Sequence, residues 1–209
     1  MHDYIHVITT QPNRYNTFKA FGQAKEYGEN YVVDRIAVPE HKGGMLDQAR
    51  SFFVFYREAM KKVKHEDFDL VYASSSRLFT AFLGKQIATS KKSLLYLDIR
   101  DIFVDTMKDV LKNRKILQVP VVVFARMVEK YTFSNATHIN LVSEGFKEYF
   151  RKYRHPYYTY FTNGIDDVFL TMKCSDRKDV QYPWIITYAG NMGSGQGLEK
   201  VIPLAAQKL

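Results

Sequence analysis

The amino-acid sequence predicts an α/β protein in which helices flank a parallel β-sheet. Short apolar runs of strand length alternate with amphipathic runs of helix length along the chain. This alternation is typical of a parallel sheet that is covered on both faces. Hydrophobic residues make up 46% of the 209 residues, and aromatic residues make up 15%, so a sizeable core can form.

The positions of the apolar and amphipathic runs predict the individual strands and helices. The predicted strands occupy residues 4–9, 31–38, 69–73, 94–97, 138–142, 157–161 and 184–189. The predicted helices occupy residues 45–64, 78–87, 119–133, 146–153 and 198–209. Pro120 falls in the first turn of the third predicted helix, where proline is tolerated. The three serines at 74–76 form a natural capping region for the second helix.

A linker is predicted over residues 171–183, which are polar, contain Pro183 and lack periodicity. It divides the chain into one domain over residues 1–170 and the start of another over residues 184–209. The second part contains only one strand, a glycine-rich turn and one helix, which is too little for a complete domain.

The chain carries a formal net charge of +8, which favours an anionic partner. Nucleic acid, an anionic membrane surface and a phosphate-bearing substrate all fit this charge. Solvated surface is the simpler explanation of each local basic cluster, and no nucleic-acid-binding motif accompanies them. The single cysteine, Cys174, is typical of a reducing cytoplasm. The histidines lack the spacing of a metal site, and no apolar run reaches the roughly eighteen residues of a membrane-spanning helix.

A glycine-rich turn lies between the last predicted strand and the last predicted helix. Its candidate ligand-binding residues are Gly190, Asn191, Met192, Gly193, Gly195 and Gly197. Glycines let the backbone approach a ligand closely, and the amides at a helix N-terminus favour phosphate oxygens. The spacing differs from both the dinucleotide-binding fingerprint and the P-loop. A tight strand-to-helix turn without a ligand is an equally good interpretation.

A charged cluster follows the predicted strand at residues 94–97. Strand alternation places Asp98 and Arg100 on the same side if the strand continues, and Asp101 comes next. Two carboxylates beside a guanidinium can provide a base, orient a sugar or hold a phosphate. An internal ion pair that fixes the loop is the alternative, and the sequence leaves both open.

Polar residues also follow other predicted strands, at the edge where open α/β sheets bind ligands. These candidates for lining a cleft are Ser74, Ser76, Arg77, Ser143, Glu144 and Asn163. Ser143 has a second interpretation, because a serine in this position commonly caps the helix that follows.

Taken in order, several segments resemble the bacterial family 4 glycosyltransferases of the two-Rossmann B fold. The matching segments are residues 7–13, 74–80, 97–103, 142–149, 162–166, 188–193 and 196–199. They are most similar to the subgroup that builds lipopolysaccharide O-antigen and capsule, which includes N-acetylfucosaminyltransferase-like enzymes. The specificity of the resemblance comes from the ordered set, which covers nearly the whole chain, and not from any one motif.

The resemblance implies a Rossmann-like acceptor-side domain, followed by the first strand, loop and helix of a donor-binding Rossmann domain. It implies transfer of a sugar from a nucleotide diphosphate sugar, with retention and without a metal or other cofactor. The acceptor would be a polyprenyl-diphosphate-linked or other saccharide. Asp98, Arg100 and Asp101 would line the interdomain cleft as catalytic residues, and the donor's diphosphate would lie near residues 190–197.

The resemblance also implies a cytoplasmic protein with peripheral contact to the inner face of the cell membrane and no nucleic-acid partner. Full members begin with a further strand, glycine-rich loop and helix and continue well beyond Leu209, so the chain is expected to lack both ends and to be inactive alone. Asn191 and Gln196 stand where many relatives place Arg and Lys. The alternative from a different class is a non-catalytic Rossmann-like module that binds a partner or forms a homodimer.

Overall fold

The computed structural model describes residues 3–12, 22–39, 45–75, 77–112, 114–171, 187–190 and 197–208. The chain divides into two compact units, Met1–Gly164 and Ile165–Leu209. Both sheets belong to the first unit. The second unit contains two helices among its described residues.

The bounds of the elements are as follows. The strands are β1 (Ile5–Thr10), β2 (Lys25–Tyr27), β3 (Tyr31–Ile36), β4 (Leu70–Ser75), β5 (Leu94–Ile99), β6 (His138–Leu141) and β7 (Tyr157–Thr159). The helices are α1 (Met45–Lys62), α2 (Leu78–Lys91), α3 (Phe103–Val110), α4 (Lys115–Phe133), α5 (Lys147–Phe150), α6 (Asp167–Thr171) and α7 (Leu198–Ala206). A 3-10 turn, Glu144–Phe146, precedes α5.

The larger sheet has four strands in the order β4-β5-β6-β7, and every neighbouring pair is parallel. Helices α2, α4 and α5 lie in the connections between these strands, as parallel pairing requires a crossover that is usually helical. This is the α/β, Rossmann-like arrangement that the sequence predicts, with a parallel sheet flanked by helices.

The smaller sheet has three strands in the order β1-β3-β2. β1 and β3 are parallel, as expected for successive strands of an α/β domain, whereas β2 is antiparallel to β3. β2 was not predicted, because three residues with two charges carry too little apolar pattern to indicate a strand. The smaller sheet is joined to the larger one through a shared core between α1 and α2, built on Ile36, Ala59 and Leu83.

The main core lies on one face of the larger sheet. Leu95, Leu97, Ile139 and Leu141 are almost completely buried there against residues of α2, α4 and α5. Side chains of successive strand residues point to opposite faces, so these odd-numbered residues share one face. Their burial stabilises the unit, since each fully buried aliphatic side chain contributes roughly 1.5–3 kcal/mol.

The opposite face of the same sheet is open at its N-terminal end. Leu70, Tyr72, Leu94 and Tyr157 alternate with the core residues, and each is more than half exposed. The rings of Tyr72 and Tyr96 stack across neighbouring strands with centroids 5.3 Å apart. Within the described residues, the helical covering of this part of the sheet is therefore one-sided, which differs from the expectation of helices on both faces.

Three further local expectations need correction. Helix α4 begins at Lys115, so Pro120 lies in its second turn and not its first. Helix α3 was not predicted, although Val104 on it is buried. The helix expected over residues 146–153 is a 3-10 turn followed by the four residues of α5.

Among the described residues of the second unit, the last helix agrees with the prediction. Helix α7 begins at Leu198 as predicted. Of the strand predicted over residues 184–189, the described residues 187–189 are not in a strand. The rest of that strand, and the linker predicted over residues 171–183 apart from Thr171, lie outside the described residues.

Gly84 of α2 faces the sheet so closely that a side chain would not fit. A Cβ built on Gly84 would lie 2.7 Å from the Cβ of Ala73 on β4. We expect Gly84→Ala to lower the free energy of unfolding by about 1–2 kcal/mol, because overpacking outweighs the gain in helix propensity. Urea denaturation measures the change.

The same substitution at Gly145 is the matched control. The nearest atom to a Cβ there is the Ser143 Oγ at 3.4 Å, so Gly145→Ala should change stability by less than about 0.5 kcal/mol. Equal stability of Gly84→Ala and the unmodified chain would show that α2 does not pack on β4 at this distance.

Candidate functional site

A row of polar side chains crosses the larger sheet near the C-terminal ends of its strands. The parallel register pairs Ser74 with Asp98, Asp98 with Asn140, and Asn140 with Thr159. All four side chains therefore lie on the same face, which is the face opposite the main core. Asp98 and Asn140 are buried, and the C-terminal edge of a parallel sheet is where α/β proteins bind ligands.

The carboxylate of Asp98 is the centre of this row. Its Oδ2 accepts hydrogen bonds from the Ser74 hydroxyl at 3.1 Å and from the Arg100 Nε at 2.9 Å. Its Oδ1 accepts a hydrogen bond from the Asn140 Nδ2 at 2.8 Å. Both oxygens are thus bonded, which a buried carboxylate requires.

These contacts decide the charge of Asp98. Burial by itself raises the pKa of the Asp98 carboxyl, but hydrogen bonds from Asn140, Arg100 and Ser74 oppose it and hold the pKa below its usual value. Asp98 is therefore a carboxylate at neutral pH. Because its oxygens already accept hydrogen bonds from three side chains, it is suited to orienting its neighbours and poorly suited to accepting a proton.

Asn140 connects Asp98 to the loop that follows β7. The Asn140 Oδ1 accepts hydrogen bonds from the Thr159 hydroxyl at 3.0 Å and from the Phe161 backbone amide at 2.8 Å. Its Nδ2 also donates to the Phe161 carbonyl oxygen at 3.1 Å. The start of this loop is thus fixed to the sheet by a buried side chain.

Arg100 is held at two points and remains open to solvent. Its Nε donates to Asp98, and its Nη1 donates to the Oδ1 of Asn163 at 2.9 Å. The side chain is 47% exposed. A guanidinium has five N–H donors, so further donors can bind an anion from solvent. The two contacts fix the plane of the group.

Asp101 differs from Asp98 in its surroundings. It is exposed, and its Oδ1 accepts a long hydrogen bond of 3.4 Å from the Thr106 hydroxyl on α3. The small cavity between Asp101 and Glu129 has a volume of about 10 Å³, which holds at most one water molecule. Asp101 is therefore the exposed carboxylate of the pair, whereas Asp98 is buried.

The remaining candidates for lining a cleft lie in different parts of the first unit. Asn163 is hydrogen-bonded to Arg100, and Ser74 is hydrogen-bonded to Asp98. The Ser143 Oγ accepts a hydrogen bond from the Gly145 backbone amide at 3.2 Å, so its capping role is confirmed. Glu144 is exposed in the 3-10 turn. The structure does not bring Ser143 or Glu144 into the hydrogen-bonded row.

The expected serine cap of α2 is not present as predicted. The N-cap of α2 is Arg77, which is extended and makes no side-chain capping bond. Ser74 instead directs its hydroxyl to Asp98. Ser76 lies outside the described residues.

The glycine-rich turn belongs to the second unit and is described in part. Gly190 is exposed, and Gly197 is the N-cap of α7 with a φ of 62°. This left-handed conformation is the one that glycine adopts without steric cost. Asn191, Met192, Gly193 and Gly195 lie outside the described residues, so the proposed cradle for phosphate oxygens stays a prediction.

Asn140 and Thr159 were missed in the sequence, although a signal was present. Each is a polar residue within an apolar strand run, and Asn140 stands between Ile139 and Leu141. A buried parallel strand is normally apolar on both faces, so a polar residue inside one indicates a hydrogen-bonding partner. The identity of that partner depends on strand register, which the sequence alone does not provide.

The described residues contain no group of three or more His, Cys, Asp or Glu side chains arranged to hold a metal ion. Among the described helices, none is long and apolar enough to cross a membrane. No protein-family model matches the chain, and none of the curated proteins is significantly similar to it.

We expect Asp98→Asn to destabilise the protein by about 2 kcal/mol at pH 7. The amide NH₂ of the new side chain would face the N–H donor of Arg100 or of Asn140, so one hydrogen bond would be lost. The contribution of Asp98 is full above the unfolded-state pKa of about 3.9 and is lost as the pH falls through its lower folded-state pKa. The difference from the unmodified chain should therefore shrink below about pH 4. Urea denaturation at several pH values measures it.

Asp101→Asn is the control, since it makes the same chemical change at an exposed carboxylate. Its effect on stability should stay within about 0.5 kcal/mol at all pH values. Similar losses for both variants, or no pH dependence for Asp98→Asn, would contradict the role given to the buried carboxylate.

Proposed function

We propose that this protein is a glycosyltransferase that transfers a sugar from a nucleotide diphosphate sugar to a lipid-linked or saccharide acceptor in cell-surface polysaccharide biosynthesis. The observation that carries the proposal is the fixed, half-exposed Arg100 at the C-terminal edge of the parallel sheet. The ordered resemblance to family 4 glycosyltransferases supports the reaction class.

Arg100 is suited to an anion of the phosphate type. The planar guanidinium forms paired hydrogen bonds to phosphate oxygens, and its plane is already fixed by Asp98 and Asn163. Fixing the side chain before binding reduces the entropy that is lost when the ligand binds. A diphosphate leaving group develops negative charge during sugar transfer, and a cation held in place stabilises that charge.

Asp101 is the carboxylate that fits a role in the chemistry. During transfer, the bond between the sugar C1 and the diphosphate oxygen breaks, and a bond from C1 to the acceptor oxygen forms. The acceptor hydroxyl loses its proton in this step. Asp101 is exposed and weakly bonded, so it can orient that hydroxyl or accept the proton, while Asp98 acts through Arg100 as a positioning residue.

The proposal includes the partners that the resemblance implies. These are a nucleotide-sugar donor and a polyprenyl-diphosphate-linked saccharide acceptor, in a cytoplasmic protein that acts with retention and without a metal. The residues at 190–197 would contact the diphosphate of the donor. The net charge of +8 supports substrates that carry phosphate groups.

A self-association module is the second candidate, and the open face of the larger sheet favours it. Leu70, Tyr72, Leu94 and Tyr157 expose apolar surface on that face, and contiguous apolar surface commonly marks an interaction site. Light scattering, which measures the mass of the particle, and a nucleotide titration together distinguish the two candidates. A defined dimer that binds no nucleotide supports the module, and a nucleotide-binding monomer supports the enzyme.

Calorimetric titration with UDP, GDP and a UDP-N-acetylhexosamine tests the enzyme proposal. We expect one nucleotide to bind in the micromolar range. Arg100→Gln should weaken that binding about tenfold, since a hydrogen bond to a charged group contributes roughly 1.5–3 kcal/mol.

Arg154→Gln is the matched control, because it removes the same charge from an exposed arginine elsewhere in the first unit. It should leave the affinity unchanged. Binding of none of the three nucleotides, or equal losses in both variants, would refute the proposed role of Arg100.

A further inference from the structure

Tyr72 lies on β4, two residues before Ser74, on the open face of the larger sheet. The register pairs Tyr72 with Tyr96 and Ser74 with Asp98 on the neighbouring strand. Residues two apart on a strand point to the same face, so Tyr72 shares a face with Ser74 and Asp98. The Tyr72 side chain is 58% exposed. The hydrogen-bonded row is therefore continued along β4 by an exposed aromatic ring.

The Tyr72 hydroxyl interacts with both charged groups of the candidate site. Burial raises the pKa of the Tyr72 hydroxyl, and the negative charge of Asp98 and a hydrogen bond to it raise that pKa further. The pKa of the Arg100 guanidinium is raised by Asp98 first and by the Tyr72 hydroxyl second. The hydroxyl is thus protonated at neutral pH and lies beside the cation that is suited to phosphate.

One side of the Tyr72 ring is supported by the sheet. The ring stacks on Tyr96 with centroids 5.3 Å apart, and Tyr96 stacks on His138 with centroids 4.6 Å apart. β4 is an edge strand of the larger sheet, so this row of rings ends at Tyr72. Among the described residues, no second ring stacks on Tyr72. The outer side of the ring is therefore a supported apolar surface next to Arg100.

An exposed aromatic ring beside a fixed cation fits a ligand that has both an apolar ring face and an anionic group. A sugar ring has such a face, because its axial C–H groups point to one side while its hydroxyls point mainly outward. Aromatic side chains pack against apolar surface of this kind. Binding sites for small molecules commonly combine aromatic side chains with a few polar groups in fixed positions.

We propose that Tyr72 binds the sugar ring of a glycosyl phosphate whose phosphate group is held by Arg100. The inference rests on the proposed function, because it takes Arg100 as the phosphate-binding group, and it adds the residue that recognises the sugar. A nucleotide-sugar donor and a prenyl-diphosphate-linked acceptor both contain a sugar bonded to a phosphate. The shared chemistry defines the ligand, and the experiment below separates the two sources.

A nucleobase is a poorer occupant of the Tyr72 ring. In a nucleotide, the ribose separates the base from the phosphates, whereas the sugar of a glycosyl phosphate is bonded directly to a phosphate oxygen. The Tyr72 hydroxyl interacts with Arg100, so the group that meets the ring is the one next to the phosphate. Tyr72 should therefore affect the binding of sugar-bearing ligands and not that of UDP.

Calorimetric titration of the full chain with four ligands tests the inference. They are UDP, UDP-N-acetylglucosamine, N-acetylglucosamine 1-phosphate and farnesyl-diphosphate-linked N-acetylglucosamine. Tyr72→Ala should weaken the binding of the sugar-bearing ligands about fivefold and leave the affinity for UDP unchanged. Tyr72→Phe keeps the ring and should retain most of the affinity. Tighter binding of the UDP-linked sugar assigns the site to the donor, and tighter binding of the farnesyl-linked sugar assigns it to the acceptor.

Tyr157→Ala is the matched control, because Tyr157 is a second exposed tyrosine on the same face. It lies on β7, three strands from β4 and about 14 Å from Tyr72. All four affinities should stay unchanged in this variant. Circular dichroism confirms that each variant is folded.

Saturation-transfer NMR of the unmodified chain tests the same contact without a variant. When the aromatic protons of the protein are irradiated, the ring protons of N-acetylglucosamine 1-phosphate should receive more saturation than its acetyl methyl group. Saturation confined to the acetyl methyl group would contradict the contact.

The outcomes separate this inference from the proposed function. UDP binding that Arg100→Gln weakens, together with sugar-ligand binding that Tyr72→Ala leaves unchanged, would refute the inference and leave the proposed function standing. Equal losses for UDP and the sugar ligands in Tyr72→Ala would also refute it, since Tyr72 would then act only through Arg100. Binding of none of the four ligands would refute both. A dimer that Tyr72→Ala dissociates would overturn the inference, because a second copy would then occupy the ring.

Discussion

The hydrogen bonds to the buried carboxylate of Asp98 connect the fold to the candidate site. Three side chains from different parts of the chain donate to it: Ser74 from β4, Asn140 from β6 and Arg100 from the residue after β5. Removing any donor would leave a buried charge with fewer partners, which is costly. The carboxylate therefore links the register of three strands to the orientation of one cation at the surface.

The buried and the exposed residues of the candidate site have different roles. Asp98 and Asn140 are buried and fully bonded, so they set geometry, while Arg100 and Asp101 are exposed and can meet a ligand. Glu129 shows the same principle elsewhere, since it is a buried carboxylate bonded by Tyr149, Tyr153 and Lys152. Its bonds fix α5 and the following turn to α4, and they leave the outside of α4 without an exposed acid.

Most of the larger sheet could be predicted from the sequence, because its strands are apolar runs separated by helical periodicity. The contact of Asp98 with Arg100 was also within reach, since alternation puts them on one side of the strand. β2 was not predicted because a segment of three residues with two charges lacks a clear period. Helix α3 was not predicted although its apolar residues repeat at helical spacing. The start of α4 was placed too late because proline favours the first turn of a helix, whereas α4 begins at Lys115 and has Pro120 in its second turn.

The partners of Asp98 could not be predicted, and the reason is physical. Ser74 and Asn140 reach the carboxylate only because the register pairs them with it. A shift of one residue in either strand would turn these side chains to the other face. Register depends on packing across the whole core, so the difference between an isolated ion pair and a shared buried network is visible only in three dimensions.

Nitrogen-15 NMR of the Arg100 Nε–H group, recorded while UDP is added, tests the central claim most directly. If Asp98 holds Arg100 ready for an anion, the Nε–H signal is protected from exchange before UDP is added. The guanidinium signals then shift as UDP binds, and Asp98→Asn removes the initial protection. An Nε–H signal that exchanges freely in the unmodified chain, or guanidinium signals that stay unchanged while UDP binds, would contradict the account.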